Sequence, residues 1–252
     1  MSVLEALAIL AAGVAAGAIN TVVGSGTLIT FPVLLAFGYA PVIANVSNTV
    51  GLVPGSVSGA VGYRSELAGQ RVRMVRLGVA SVAGGATGAV ALLVLPASAF
   101  RAIVPVFIVI ALVAILAQPR LSRRRGPRSH RSAIVGDGGP FAVAAVYSSG
   151  VYGGYFGAAQ GILLLAILGL ALPDDLQRSN ALKIVLALLV NLVSGLIFVA
   201  VADVAWRPAL LIAAGSLAGG VIGARYGRRL PAGALRAVIV VVGLAAIVRL
   251  AA

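Results

Sequence analysis

Two stretches of this chain repeat each other nearly letter for letter. Ser81 to Ala89 reads SVAGGATGA and Ser216 to Ala224 reads SLAGGVIGA; Leu95 to Val104 (LPASAFRAIV) and Leu230 to Ile239 (LPAGALRAVI) repeat at the same offset of 135 positions. Both copies lie inside apolar runs. A chain built this way is a duplicated membrane domain, and in membranes two repeats of this size commonly form the halves of a transporter with the substrate held where they meet.

Composition sets the solvent. With 61% hydrophobic residues, 10% charged residues and a mean hydropathy of +1.11, the chain has apolar runs enough to cross a bilayer repeatedly, which takes about 20 residues each time. The 32 glycines follow no Gly-X-Y period, so they read as small residues that let helices approach closely or break them. There is no cysteine, which excludes disulfides, thiolate catalysis and Cys-ligated metals. The net charge of +13 is spread between the apolar runs and is not gathered on one polar domain. It therefore reads as topology signals and contacts with membrane lipid headgroups, with no nucleic acid as partner.

Ten apolar segments are expected, at roughly 3–20, 26–38, 42–63, 73–95 and 99–117, then 140–156, 160–171, 178–201, 207–226 and 233–250. Between the fives lies a polar stretch with Arg120, Arg123, Arg124, Arg125, Arg128, His130 and Arg131. The expected organisation is an N-terminal transmembrane repeat at 1–117, a basic cytoplasmic linker at 118–139 and a C-terminal transmembrane repeat at 140–252. No Lys or Arg precedes Arg64, so the first segment lacks the basic start of a signal peptide and is expected to be retained.

Charge also bears on whether the repeats run parallel or inverted. Four crossings per half leave 12 basic residues inside against 7 outside; five crossings, with the N-terminus outside, leave only Arg101, Arg207 and Arg249 outside, 16 against 3. The second pattern fits the positive-inside bias better. The fold class is therefore all-α: a polytopic membrane protein of two inverted repeats, each of about five helical segments, with 8 full spans and 2 short partial helices.

The partial helices are the second segment of each half. Thr27 to Gly38 and Gln160 to Ala171 make only about 18 Å of helix against a hydrocarbon core of about 30 Å. They follow Asn20-Thr-Val-Val-Gly-Ser-Gly26 and Gly150-Val-Tyr-Gly-Gly-Tyr-Phe-Gly157. Irregular backbone at membrane depth has to face protein or a cavity. A helix that begins there aims unpaired N–H groups and its positive dipole end inward, so two such starts suit a small anion. The competing reading is that these glycines only permit close helix packing.

The stretch NTVVGSGTLITFP (Asn20 to Pro32), the Gly38-Tyr-Ala-Pro41 turn leading into Ala44-Asn-Val-Ser-Asn-Thr49, and Ser179-Asn-Ala-Leu-Lys183 together resemble the paired signatures of the sulfite exporter TauE/SafE family of membrane permeases. The likeness covers nearly the whole chain, although Ser25 and Thr27 stand where more glycine is usual. It implies export of small sulfur-containing anions, such as sulfite or organosulfonates, across the bacterial inner (plasma) membrane. The family's paired Asn motif maps onto Asn48 and Asn180.

Candidate substrate-binding residues follow. Asn20, Thr21, Gly24, Ser25, Gly26 and Thr27 belong to the first break, and Tyr152, Gly157, Gln160 and Gly161 to the second. Asn48, Thr49, Ser179, Asn180 and Lys183 open the helices that come next. Amide and hydroxyl donors replace water around an oxyanion without adding charge, though Ser and Asn at such places also cap helices. Lys183 borders an apolar run, so its ammonium either turns into the cavity or snorkels to the interface. Asn191, Ser194, Tyr152, Tyr155 and Gln160 are weaker candidates, and the two Tyr equally suit an interfacial belt.

Absences narrow the chemistry. The acidic residues (Glu5, Glu66, Asp137, Asp174, Asp175 and Asp203) fall at segment ends or in loops, and the single His lies in the linker. No intramembrane carboxylate or His is placed as a proton relay or metal site, and no nucleophile has a positioned base, so neither an enzyme nor a cofactor is expected. An anion channel and a membrane assembly factor stay open beside the carrier, and the glycine-rich faces suit self-association into a homo-oligomer.

Overall fold

The computed structural model describes residues 1–100, 102–109, 113, 139–172 and 174–226. The basic linker up to residue 138, the tenth segment (233–250) and the second copy of the Leu-Pro-Ala repeat lie outside the described residues, as does the end of the fifth segment.

The first half contains α1 (Val3–Val22), α2 (Thr27–Ala36), α3 (Pro41–Gly62), a short 3-10 turn (Arg64–Leu67), α4 (Arg71–Val94) and α5 (Ala97–Val109, Arg101 excepted); the second contains α6 (Pro140–Tyr155), α7 (Gln160–Ala171), α8 (Leu176–Val201) and α9 (Trp206–Tyr226). These bounds lie within a few residues of the expected segments. Among the described residues, α1, α4, α8 and α9 are each long and apolar enough to cross a membrane. The starts are written in the sequence. Ser2 caps α1, accepting from Glu5 N at 3.1 Å while Glu5 Oε2 accepts from Ser2 N at 3.2 Å. Asp175 caps α8 by accepting from Arg178 N at 2.9 Å, and Pro41 and Pro140 open α3 and α6, where a missing N–H costs nothing.

The halves interlock by exchanging helices. α1 packs along α9 and α4 along α6, while α3 and α8 cross at the centre, with α9 against α3 and α4 against α8. Each of these pairings maps onto another when the halves are exchanged. The duplicated glycine motif makes the close approach possible. A Cβ on Gly84 would stand 2.2 Å from Tyr147 O of α6, and one on Gly219 would stand 2.0 Å from Val14 O of α1. The motif's serines do matching work: Ser81 Oγ donates to Leu186 O of α8 (3.1 Å) and Ser216 Oγ to Gly51 O of α3 (2.8 Å). Gly51 and Leu186 are themselves 135 positions apart. The glycine-packing reading thus holds for α4 and α9.

Cross-links sort the helix ends onto two faces. Tyr39, just after α2, donates its hydroxyl to Glu5 Oε1 in the first turn of α1 (3.0 Å), so α2 turns back to the face where α1 began. On the opposite face, Arg178 Nη1 donates to Ala68 O (3.1 Å), Gln70 Nε2 to Arg178 O (3.2 Å), and Arg73 pairs with Asp174. The second half therefore starts α8 on the face where α4 starts. Arg64, Arg71, Arg73, Arg76, Arg178 and Arg225 all belong to this second face; Arg207, at the start of α9, belongs to the first.

Candidate substrate site

Two broken helices meet inside the bundle. α1 stops at Val22 and α2 starts at Thr27; α6 stops at Tyr155 and α7 starts at Gln160. Both breaks turn on a glycine with positive φ, Gly24 at 85° and Gly157 at 77°. This is backbone that a side chain rarely adopts. The breaks end alike: Ile19 O accepts from both Val23 N and Gly24 N, and Tyr152 O from both Phe156 N and Gly157 N. Gly24 then presses on the start of α7. Its carbonyl accepts from Gly161 N at 3.0 Å, and a Cβ on Gly24 would stand 2.4 Å from Gly161 Cα.

That contact corrects half of the expected anion cradle. The Gly161 N–H is spent on the first break, so the start of α7 does not offer it to a ligand. The start of α2 differs. Ser25 N, Gly26 N and Thr27 N have no backbone acceptor among the described residues, and the buried Ser25 Oγ has no partner.

Lys183 is fully buried, at 0% exposure, and is the only charged side chain in the described interior. It neither snorkels nor points freely into a cavity. Its Nζ donates to Asn20 O (3.1 Å) and Thr21 O (3.3 Å), two carbonyls that α1 leaves orphaned where it breaks. Asn180, one turn earlier on α8, donates Nδ2 to the same Thr21 O (3.3 Å), and its Oδ1 is buried and unpartnered. Ser179 Oγ is likewise buried without a partner. A positive group at the negative end of a helix dipole is favourable. An ammonium carries three donors, however, and these contacts use two.

The structure revises the pairing of the amides. The register of 135 positions that matches Ser81 with Ser216 matches Asn45 with Asn180 and Asn48 with Lys183, so Asn48 and Asn180 are not counterparts. Asn45 is the equivalent residue that sequence reasoning passed over. It donates Nδ2 to Tyr155 O at the end of α6 (2.9 Å), as Asn180 does at the end of α1. Asn48 instead secures α2 to α3, donating to Thr27 Oγ1 (3.2 Å) and accepting from Thr30 Oγ1. The constant offset was the signal that would have found Asn45.

The remaining candidates divide. Asn20 lies beside Lys183 and donates Nδ2 to Ser56 Oγ (3.4 Å), which also accepts from Asn191 Nδ2 (3.5 Å), so Asn20, Ser56, Asn191 and Lys183 form one connected polar strip. Gln160 Nε2 donates to Ser149 O (3.2 Å) and packs its amide on Gly153. Thr21 and Thr49 return their hydroxyls to their own helices, to Gly17 O (3.0 Å) and Asn45 O (2.9 Å). Ser194 Oγ donates across to Gly85 O of α4 (3.2 Å). Tyr152 donates its hydroxyl to Ala158 O. It joins Phe31, Phe100, Phe107, Tyr155 and Phe156 in an aromatic cluster over the second break; Phe31 and Phe156 stand 5.1 Å apart edge to face, and Phe107 and Tyr152 4.8 Å.

A family model for the sulfite exporter TauE/SafE matches residues 9–250. The chain belongs to the sulfite exporter TauE/SafE family. It is similar to the probable membrane transporter protein YfcA of Escherichia coli (strain K12), 27% identical over 216 residues that cover 85% of this chain and 76% of that one. It is also similar to the probable membrane transporter protein ORF9 of Sinorhizobium sp, 27% identical over 240 residues covering 94% of this chain and 88% of that one. No solved structure matches. This is a multi-pass integral membrane protein of a transporter family, in agreement with the expectation that it is not an enzyme. Both helix breaks and Lys183 lie within the matched span.

Proposed function

We propose that this protein is a secondary transporter that exports small sulfur-containing anions, sulfite or organosulfonates, across the bacterial inner membrane by alternating access. The observation that carries the proposal is the ammonium of Lys183, buried where the halves meet, with no carboxylate beside it among the described residues and one donor uncommitted. A buried charge left without a counter-charge costs several kcal/mol, and a small anion supplies one. The free N–H groups of Ser25, Gly26 and Thr27 at the start of α2 add donors of the right sign, and Ser25 Oγ, Asn20 and Asn191 add neutral ones. In this reading the anion sits near the midplane, between Gly24 to Thr27 and the second break.

The proposal includes two inverted repeats of five segments, giving 8 full spans and 2 partial helices that turn back. The Tyr39–Glu5 link on one face and the Arg178–Ala68 link on the other support it, because the first half begins on the face opposite the one where the second begins α8. The arginine-bearing face, and with it the linker at 118–139, is cytoplasmic under the positive-inside bias. Membrane lipid surrounds the bundle.

The test is uptake of labelled sulfite into liposomes holding the purified protein, with sulfate, a small organosulfonate and chloride as competitors, with and without a pH gradient. Saturable uptake blocked by the sulfonate is expected. Non-saturating flux at channel rates, or no flux of any of these anions, overturns the carrier of sulfur anions.

A further inference from the structure

The two broken helices end alike but are neutralised differently. At the end of α1, Asn20 O and Thr21 O are held by the Lys183 ammonium. The offset that matches Gly24 with Gly157 matches Asn20 with Gly153 and Thr21 with Gly154. At the end of α6, neither Gly153 O nor Gly154 O accepts a hydrogen bond from the residues beyond the helix, because Gly157 N goes to Tyr152 O and Ala158 N makes no backbone bond. The residue equivalent to Lys183 is Asn48, whose amide is committed to Thr27 and Thr30 of α2. No cationic side chain reaches this helix end among the described residues.

A second, independent feature sits at the same place. Asn45 is 0% exposed and donates Nδ2 to Tyr155 O at 2.9 Å, which holds its other amide atom, Oδ1, beside the end of α6; that oxygen has no partner. Orphan carbonyls at the negative end of a helix dipole, joined by a buried amide oxygen, are neutral oxygen donors with nothing to accept from. A hard monovalent cation uses such donors, and half-helix ends with unwound backbone hold Na⁺ in other membrane folds.

We propose that the end of α6 is a Na⁺ site, formed by Gly153 O, Gly154 O and Asn45 Oδ1, in which a bound ion does what the Lys183 ammonium does at the end of α1. The duplicated unit thus keeps one built-in cation and one exchangeable one. The site stands on the repeat geometry; that Na⁺ is the coupling ion rests in addition on the transporter reading above.

The experiment measures binding of ²²Na⁺ to the purified full-length protein by scintillation proximity, with K⁺ and N-methyl-D-glucamine as competitors and without any substrate. This separates the site from the question of what is carried. Saturable binding is expected, displaced poorly by N-methyl-D-glucamine. Asn45→Ala should weaken it at least tenfold. Asn48→Lys, which brings an ammonium to the equivalent position, should abolish it while the protein still elutes as a single helical species. Absence of saturable ²²Na⁺ binding by the wild type overturns the site, as does binding unchanged in both variants. Should Asn45→Ala not fold, the wild-type isotherm and Asn48→Lys decide. Sodium binding without sodium-dependent transport would retain the site and remove only its coupling role.

Discussion

Asn191 donates its side-chain amide to Ser56 Oγ at 3.5 Å, and the two are the same position of the duplicated unit, one on α8 and one on α3. Equivalent residues that touch each other mark the axis relating the halves. The strip that runs from this axis through Asn20 to Lys183 is therefore polar at the centre of the bundle and acquires its charge on one side only. The two ends differ because the 135-residue offset places Asn48 on α3 where Lys183 stands on α8.

Lys183→Ala is expected to weaken transport of a divalent anion more than that of a monovalent one, because the ammonium is the only buried positive charge among the described residues. It also strips Asn20 O and Thr21 O of their donor, at about 1–3 kcal/mol for a buried group left unsatisfied. Transport of sulfate and of a monovalent sulfonate, each compared with wild type in the same liposomes, checks this. Equal losses for both anions would take Lys183 out of the site and leave it as a cap for α1.

Gly24→Ala is expected to abolish folding or transport. The added Cβ would stand 2.4 Å from Gly161 Cα, backbone that has no side chain to move aside, and φ is +85°. Gly38 is the control: it has the same φ of +85° with nothing within 4 Å of a Cβ, so Gly38→Ala carries only the conformational cost, about 1–2 kcal/mol. Melting temperatures in detergent, read with transport rates, separate the two. Similar effects from both would mean that strain, and not contact between the breaks, makes Gly24 necessary.

Most of the frame was legible in the sequence. The first nine segments, as far as the described residues cover them, and the breaks before Thr27 and Gln160 rest on local pattern, and α7 (Gln160–Ala171) has the bounds its apolar run predicts. The pairing of Asn45 with Asn180 was not legible from similarity of letters, since NVSN and NALK align by register only once the offset of 135 is carried back from Ser81 and Ser216. The partners of Lys183 were hidden for a different reason. They are backbone carbonyls some 160 positions away, and a carbonyl leaves no mark in sequence. The capture of Gly161 N by Gly24 O is of the same kind.

Tyr39→Phe is expected to loosen the end of α2 from α1 by about 1 kcal/mol, the net worth of a hydrogen bond. Burial, and then the hydrogen bond and negative charge of Glu5, hold the Tyr39 hydroxyl above the ordinary tyrosine range, with Arg207 pulling the other way. The folded state thus favours the protonated phenol. Its contribution is complete below the ordinary tyrosine value and fades as pH rises through the raised one. Wild type should therefore lose stability in that alkaline window more steeply than Tyr39→Phe. Parallel stability curves for the two proteins would exclude Tyr39 as the titrating group.

Arg73 of α4 and Asp174, ahead of α8, pair across the halves, and Arg178 Nε joins the same carboxylate at 3.5 Å. Gln70 and Ala68 add two more links between these loops, at 3.2 and 3.1 Å. On the opposite face the described cross-half link is a single bond, from Ala205 N to Ser47 Oγ (2.9 Å). A carrier that opens alternately must break whichever set of links closes the side about to open. Asp174→Asn is therefore expected to favour opening toward the arginine-bearing face, seen as faster labelling of a cysteine introduced at Ser179 in an otherwise cysteine-free chain. Exchanging the pair, Arg73→Asp with Asp174→Arg, should restore part of the wild-type protection, with a coupling of about 1 kcal/mol that shrinks at high salt. Labelling unchanged by Asp174→Asn would show that this face is held by packing and the two backbone-directed bonds alone.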